Sequence, residues 1–376
     1  MIIEIRGAQT TNKGAELMLL SVIKEITYRM PEKNITFAVE PSSNFSYSKR
    51  VEYKLLAVPR YGFKILTLKG LVKFLPERIR TDFGIISEND IDAVIDVSGF
   101  RYGDFWGLEE MQIGITDAIK KWRKKGLKVI LLPQAFGPFE KKRMKKEALK
   151  ILRYANLICA RDEESYKHFN CIETGLEKRN LFQFPDFTPS ITIEEKYVKF
   201  EDHVLIIPNS KMLKKSKNYI NYLAELVEYL KDKKLNFAFL IHAGKSDYNI
   251  AKKVVEKTGI NTEIIWENDP IETKKVINSS FLVIASRFHG LISGLSQGIP
   301  TISTSWSHKY EKVLEEYECK KIGLVEDLED FSKTREKIEF MFSEYEKIQN
   351  LIKDKSEDQK RKIDEMWNKV IDILNQ

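Results

Sequence analysis

The chain has 376 residues, with 62 basic against 55 acidic side chains for a formal charge of +7, and is 43% apolar and 11% aromatic. That length suits two domains with a core each, and no apolar run approaches the roughly 20 residues that span a bilayer. The mild basic excess suits an anionic substrate or an anionic surface, and with no basic stripe interleaved with aromatics it makes no case for nucleic acid. Cys159, Cys171 and Cys319 form no CxxC pair, and the five histidines form no HExxH arrangement. Neither a metal site nor a disulfide framework is therefore expected. The first residues meet Arg6-Gly7 at once, without a signal peptide, so a cytoplasmic protein is expected.

Residues 1–6 alternate as a strand and run into a loop from Gly7 through Asn12 to Gly14. Helical spacing follows over 15–30, at Leu17, Leu20, Ile23 and Ile26. Strand, glycine loop and helix open a nucleotide- or phosphate-binding α/β domain. It is not a Walker loop, because Lys13 precedes Gly14. A strand over 34–39 leads to a stretch, 41–80, broken by Pro59, Gly62, Gly70 and Pro76. Within it, 63–75 mixes Leu, Ile and Phe with lysines. A surface helix with its apolar side inward is the favoured reading there, and a peripheral membrane contact the other.

A strand over 93–97 ends at Ser98-Gly99-Phe100, a helix is expected over 114–125, and a strand over 128–132 runs into a loop holding Gln134. The lysine-rich helix 140–153 reads as a solvated face. The strand 157–160 stops at Arg161-Asp162, where a helix begins. Two prolines around Asp186 mark the approach to a linker, with the boundary near 191–201. Beyond it, strands over 204–207, 236–241 and 263–266 alternate with helices over 217–231, 249–257 and 271–278. Residues 331–376 are helical and charged, with a polar run at 356–362 that argues against a coiled coil. The pattern predicts an α/β protein of two doubly wound, Rossmann-like domains, 1–195 and 196–325, with a helical tail over 326–376 packing on them.

The most informative stretch is 276–305. An unalternating apolar run, 281–285, reads as a strand buried on both faces. It is followed by Ser286-Arg287-Phe288-His289-Gly290, a short helix ending at Gly298, and a new strand from Thr301. Arg287 and His289 stand where a strand's carboxyl end meets a helix N-terminus, a point that favours an anion. Taken alone, Asp162 with Ser165 could equally be a helix cap. His168, His203 and His242 read as structural.

Several motifs together resemble the polysaccharide pyruvyl transferases. These are Ser286-Arg287-Phe288-His289-Gly290, the Gly298-Ile299-Pro300 strand entry, Arg161-Asp162-Glu163-Glu164-Ser165, the 134–138 loop, Pro185-Asp186, and Gly7 with Asn12 and Gly14. His308-Lys309 falls where the family has a similar pair. The resemblance implies two Rossmann-like domains facing a cleft, similar to B-type glycosyltransferases, with the acceptor on the N-terminal side. It implies transfer of the pyruvyl group of phosphoenolpyruvate onto a sugar as a ketal, in surface-glycan synthesis. A sugar or lipid-linked glycan would be the acceptor, at the inner face of the membrane, with no cofactor or metal.

On that resemblance His289, Arg287 and Arg161 are the catalytic candidates. Gly7, Asn12, Gly14, Gly99, Gln134, Asp186, Ser286 and Lys309 are the substrate-binding ones. A guanidinium fork fits a carboxylate or phosphate, Lys309 adds a point charge, and an imidazole can move a proton near neutral pH. Asp186 or Asp162 would be the base. The loops at Ser98-Gly99-Phe100 and Lys13-Gly14-Ala15-Glu16 depart from the usual glycine-rich forms, on the side that would meet the acceptor. The alternatives are a nucleotide-sugar-dependent glycosyltransferase of the same fold, against which the absence of a Glu-x₇-Glu pattern after Arg287 counts, and a non-catalytic sugar-binding relative.

Overall fold

The computed structural model describes residues 1–59, 76–172, 179–305 and 307–376; the 63–75 segment lies outside the described residues. The chain divides into two compact units. One comprises Met1–Thr11, Met18–Phe187 and Lys362–Gln376, the other Asn12–Leu17 and Thr188–Arg361.

The first unit is built from β1 (Ile2–Arg6), α1 (Lys13–Arg29, from its second turn), β2 (Thr36–Val39), β3 (Leu56–Ala57), β4 (Ala93–Asp96), β5 (Phe100–Tyr102), α2 (Ile119–Lys124), β6 (Lys128–Phe136), α3 (Lys142–Tyr154), β7 (Leu157–Ala160), α4 (Glu163–Asn170) and β8 (Leu181–Gln183). Its strands pair in parallel in the order β3-β2-β1-β4-β6-β7-β8, with β5 added beside the end of β6. The strand sequences explain the choice. Every residue of β4 and β7 is buried, as a sheet covered by helices on both faces requires.

The second unit contains β9 (His203–Ile207), α5 (Tyr219–Asp232), β10 (Asn236–Leu240), α6 (Gly244–Thr258), β11 (Glu263–Ile265), α7 (Pro270–Asn278), β12 (Leu282–Ala285), α8 (Phe288–Leu295), β13 (Thr301–Thr304), α9 (Lys309–Glu316), β14 (Leu324–Val325) and α10 (Ser332–Ser343). Its parallel order is β11-β10-β9-β12-β13-β14. In each sheet the order reverses beside the first strand, between β1 and β4 and between β9 and β12. Ligands of doubly wound sheets bind at that switch point, beyond the strands' carboxyl ends.

Several boundaries differ from the sequence expectation. β6 runs nine residues to Phe136 instead of ending at 132, so Gln134 lies in the strand. Pro133, which cannot donate to a ladder, is accommodated where the register slips between Leu131 and Gln134. The 114–125 helix is instead α2 preceded by a π-helical turn, Gln112–Thr116. α6 starts at Gly244, five residues before 249. Residues 188–195 pack with the second unit, where the buried Lys274 of α7 donates to the carbonyls of Thr188 (3.1 Å) and Ile191 (2.5 Å).

The tail is α11 (Tyr345–Asn375), unbroken through the polar run at 356–362. Ser356 and Gln359 are buried at the same helical spacing as Ile352, Ile363 and Trp367, and Ser356 Oγ donates to the Ser296 carbonyl at 2.7 Å. The run marks where the helix passes from one unit to the other, at Arg361. No helix among the described residues is long and apolar enough to cross a membrane.

Trp367 is fully buried in the first unit's core, edge-on to Phe187 with ring centroids 5.9 Å apart. Trp367→Ala should cost about 3–5 kcal/mol of stability, the usual penalty for emptying a large aromatic site. Equilibrium denaturation of the two proteins would measure it.

Candidate active site

The second unit gathers its chemistry at the carboxyl ends of β9, β10 and β12. Ser286 leaves β12, Arg287 is the N-cap residue of α8, and Phe288 and His289 form its first turn. Arg287 is aimed by a carboxylate. Its Nε donates to Asp247 Oδ2 at 2.7 Å and its Nη2 to Asp247 Oδ1 at 2.6 Å, a two-point clamp on the first turn of α6. Asp247 is fully buried and also accepts the backbone N–H of Ser210 at 2.9 Å. The side chain, 16% exposed, is thereby held with its Nε and Nη2 edge committed to Asp247.

Ser286 lies beneath this pair. It is buried, with its hydroxyl between Tyr219 Oη (2.8 Å) and Thr304 Oγ1 (2.6 Å). Its carbonyl accepts from Asn209 Nδ2 (2.8 Å) and Tyr310 Oη (3.0 Å). Five elements therefore fix the turn that carries Arg287, and Ser286 acts as its anchor. Lys309 opens α9 with its ammonium 4.4 Å from the centre of the Phe288 ring.

The first turn of α1 belongs to this unit. Asn12 caps it, its Oδ1 accepting the Gly14 N–H at 3.0 Å. Gly14 lies against His289: a Cβ there would sit 2.0 Å from Nδ1 of the imidazole. Only glycine leaves room for that ring. Lys13 bonds the buried Glu16 at 3.1 Å and the carbonyl of Asn268.

His242 follows β10 and is 2% exposed, with Nε2 lacking a hydrogen-bond partner. Burial, then repulsion from His289, Arg287 and Lys13, holds its imidazole well below the usual histidine range. Desolvation and repulsion from Arg287 likewise lower the Lys211 ammonium. The site thus concentrates Lys13, Lys211, Arg287 and two imidazoles around two committed carboxylates, Asp247 on Arg287 and Glu16 on Lys13. Sequence reasoning singled out Arg287, His289, Gly14 and Asn12, passed over Asp247 and Lys211, and read His242 as structural. Asn209 to Lys211 and His242 to Asp247 follow β9 and β10 as Ser286 to His289 follow β12, and that shared position was the available signal.

The first unit has its own corner, at the ends of β1, β4, β6, β7 and β8. Gly7, with φ +76, packs on Ser98, where a Cβ would meet the Ser98 hydroxyl at 2.2 Å; Gly99 continues the same loop. Gln134 is fully buried and donates to Asp96 Oδ1 at 3.1 Å, while Tyr102 Oη donates to Asp96 Oδ2 at 2.6 Å. Arg161 and Asp186 are both about 5% exposed and 3.7 Å apart. Asp162 caps α4, accepting the Ser165 N–H at 2.7 Å, so the cap reading holds for it. The structure brings Gly7, Gly99, Gln134, Arg161 and Asp186 to one sheet end in this unit. It brings Asn12, Gly14, Ser286, Arg287, His289 and Lys309 to the corresponding end in the other.

The sequence model of the polysaccharide pyruvyl transferases matches residues 12–308. The chain belongs to that family. No curated protein sequence matches it. Among solved structures it is similar to the UDP-GlcNAc 2-epimerase of Methanocaldococcus jannaschii, at 13% identity and TM-score 0.57, over 90% of this chain and 92% of the other. It is also similar to the Anabaena protein HepE in complex with UDP-glucose, at 12% identity and TM-score 0.59 over 99% of each chain. A third similar structure is the UDP-GlcNAc 2-epimerase of Neisseria meningitidis bound to UDP-GlcNAc, at 11% identity and TM-score 0.57 over 95% and 98%. At these identities the likeness establishes the fold: this pyruvyl transferase family member is an α/β protein with two parallel-sheet domains, a fold similar to that of B-type glycosyltransferases.

Two predictions follow from the geometry. Asp247→Asn leaves Arg287 without its counter-charge and should destabilise the protein by about 3 kcal/mol, the lower end for a broken buried pair, measurable by denaturant titration. His242 makes stability pH-dependent. The unfolded chain takes up the imidazole proton near the ordinary 6.5, and the folded protein only at much lower pH. Its contribution is therefore intact above about pH 6.5 and lost as the pH falls below that. The melting temperature of the unmodified protein should drop over this range more steeply than that of His242→Gln.

Proposed function

We propose that this protein transfers the pyruvyl group of phosphoenolpyruvate to a pair of sugar hydroxyls, forming a ketal and releasing phosphate. The observation that carries the reading is the Asp247-clamped Arg287 beside His289, with Lys13 and Lys211, in a chain of the pyruvyl transferase family. A small molecule with a carboxylate and a phosphate needs two adjacent cationic holds and one proton donor, and this cluster supplies those groups.

In the proposed mechanism the free edge of Arg287, the Lys13 and Lys309 ammonium groups and the α8 N-terminus hold the two anionic groups. His289 delivers a proton to the C3 methylene, and C2 becomes electrophilic. One sugar hydroxyl adds to C2 as its proton is removed; the C2–O bond breaks and phosphate leaves with its bridging oxygen, taking up that proton; the second hydroxyl adds to C2 and closes the ketal, its proton restoring His289. His242 stays neutral, so the cluster does not carry another fixed positive charge beside His289. Gly7, Gly99, Gln134, Arg161 and Asp186, gathered at one sheet end of the first unit, are the proposed acceptor-binding candidates, and Asp162 is committed to its cap.

Phosphate release from phosphoenolpyruvate should depend on a sugar acceptor. His289→Ala should lower turnover by about 10²–10⁴-fold, the range for a lost acid–base group, with phosphoenolpyruvate binding little changed. Gly14→Ala should lower turnover by displacing the imidazole, and the overpacked contact should also lower the melting temperature. Full activity in His289→Ala would remove its assigned role. Acceptor-dependent release of a nucleoside diphosphate from a sugar nucleotide, with none of phosphate, would favour the glycosyltransferase reading.

A further inference from the structure

The first unit carries a surface that neither the fold nor the proposed chemistry uses. Lys141, Lys142, Arg143, Lys145 and Lys146 are exposed around the start of α3, and none forms an ion pair among the described residues. Their neighbours behave differently: Lys150 pairs with Glu147 at 2.7 Å and Lys167 with Glu163 at 2.5 Å. The buried face of the same helix, through Met144, Ala148 and Ile151, explains why the helix forms, and leaves the cations as an unneutralised row.

Beside this row lies an open groove of about 740 Å³. Phe139, Leu149 and Ile172 form its apolar lining, and Lys142, Lys145 and Lys146 stand along its edge. The adjoining loop after β5 presents Phe105, 71% exposed, and Trp106, 42% exposed. Their ring centroids are 5.0 Å apart, and both pack on Phe100 at 5.9 Å. The loop is tied to the start of α3 by two hydrogen bonds. Asp104 N donates to the Pro138 carbonyl at 2.9 Å, and Glu140 N to Asp104 Oδ2 at 2.7 Å. Two large aromatics are thus held in water by a braced turn, next to five unpaired cations.

We propose that this face docks on an anionic membrane surface, with Phe105 and Trp106 at the headgroup level and the α3 cations against acidic lipid headgroups. Aromatics of this kind concentrate at the membrane interface, and a row of Lys/Arg strengthens attachment to anionic lipid. The charge is complementary to such a surface. A polynucleotide is the poorer match, because the groove floor of Phe139, Leu149 and Ile172 suits acyl or headgroup contact better than base edges, and the exposed aromatics beside it suit a membrane interface. The docking face contains none of the residues assigned to catalysis or donor binding, so it stands or falls independently of the donor's identity.

The test is co-sedimentation of the full chain with vesicles of phosphatidylcholine, alone and mixed with phosphatidylglycerol, at low and high salt. Binding should require phosphatidylglycerol and weaken with salt. The combined variant Lys142→Glu, Lys145→Glu, Lys146→Glu should bind at least about tenfold more weakly, with unchanged melting temperature and unchanged activity on a soluble acceptor. Brominated phosphatidylcholine in the mixed vesicles should quench tryptophan emission in the unmodified protein and much less in Trp106→Phe. Equal binding to neutral vesicles, or a folded charge-reversal variant that sediments like the unmodified protein, would overturn the proposal. So would tighter binding to a single-stranded polynucleotide than to the anionic vesicles at the same salt.

Discussion

The two-point contact between Arg287 and Asp247 organises the second unit's candidate site. A buried carboxylate with no cation would be costly, and a guanidinium at a strand end without a partner would roam. Joined, they fix one another: Asp247 is satisfied by Arg287 and the Ser210 N–H, and Arg287 is held to a single orientation. The contact also ties α6 to the turn before α8, so the loops after β9, β10 and β12 converge on one point. Ser286, Tyr219, Thr304 and Tyr310 brace that turn from below.

That rigidity shapes the electrostatics. With Asp247 spent on Arg287 and Glu16 on Lys13, the site still keeps Lys211 and two imidazoles beside Arg287, and His242 responds by staying neutral. Such mutual repulsion is a stability cost that an incoming anion relieves. The cluster is built largely by backbone topology, because Lys211, His242, Asp247, Arg287 and His289 each follow a parallel strand of one doubly wound sheet, while Lys13 comes from the first turn of α1.

The fold was legible because it rests on periodicity. The unalternating apolar run at 281–285 marks a strand buried on both faces, short strand-like runs stand at 93–97 and 157–160, and the helices between the strands show their own spacing. Arg287 and His289 were legible for the same reason, as residues at a strand end and helix start. Asp247 was not, because Gly244 to Tyr248 is polar and the helical pattern becomes visible only from Asn249. The role of Gly14 was half legible. Its presence in a loop was plain, but its contact with His289, 275 positions away in sequence, belongs to tertiary packing. The polar run at 356–362 looked like an interruption, whereas Ser356 and Gln359 are buried on the helix's inner face. Local composition cannot distinguish a polar residue that meets a carbonyl from one that meets water.

The most direct measurement of the central claim is calorimetric titration of phosphoenolpyruvate and of a uridine diphosphate sugar into the protein and into Arg287→Ala. The account predicts that phosphoenolpyruvate binds the unmodified protein and that the variant binds it at least about tenfold more weakly, the equivalent of 1.4 kcal/mol. Equal affinity of the two proteins for phosphoenolpyruvate, or binding of the nucleotide sugar alone, would contradict it.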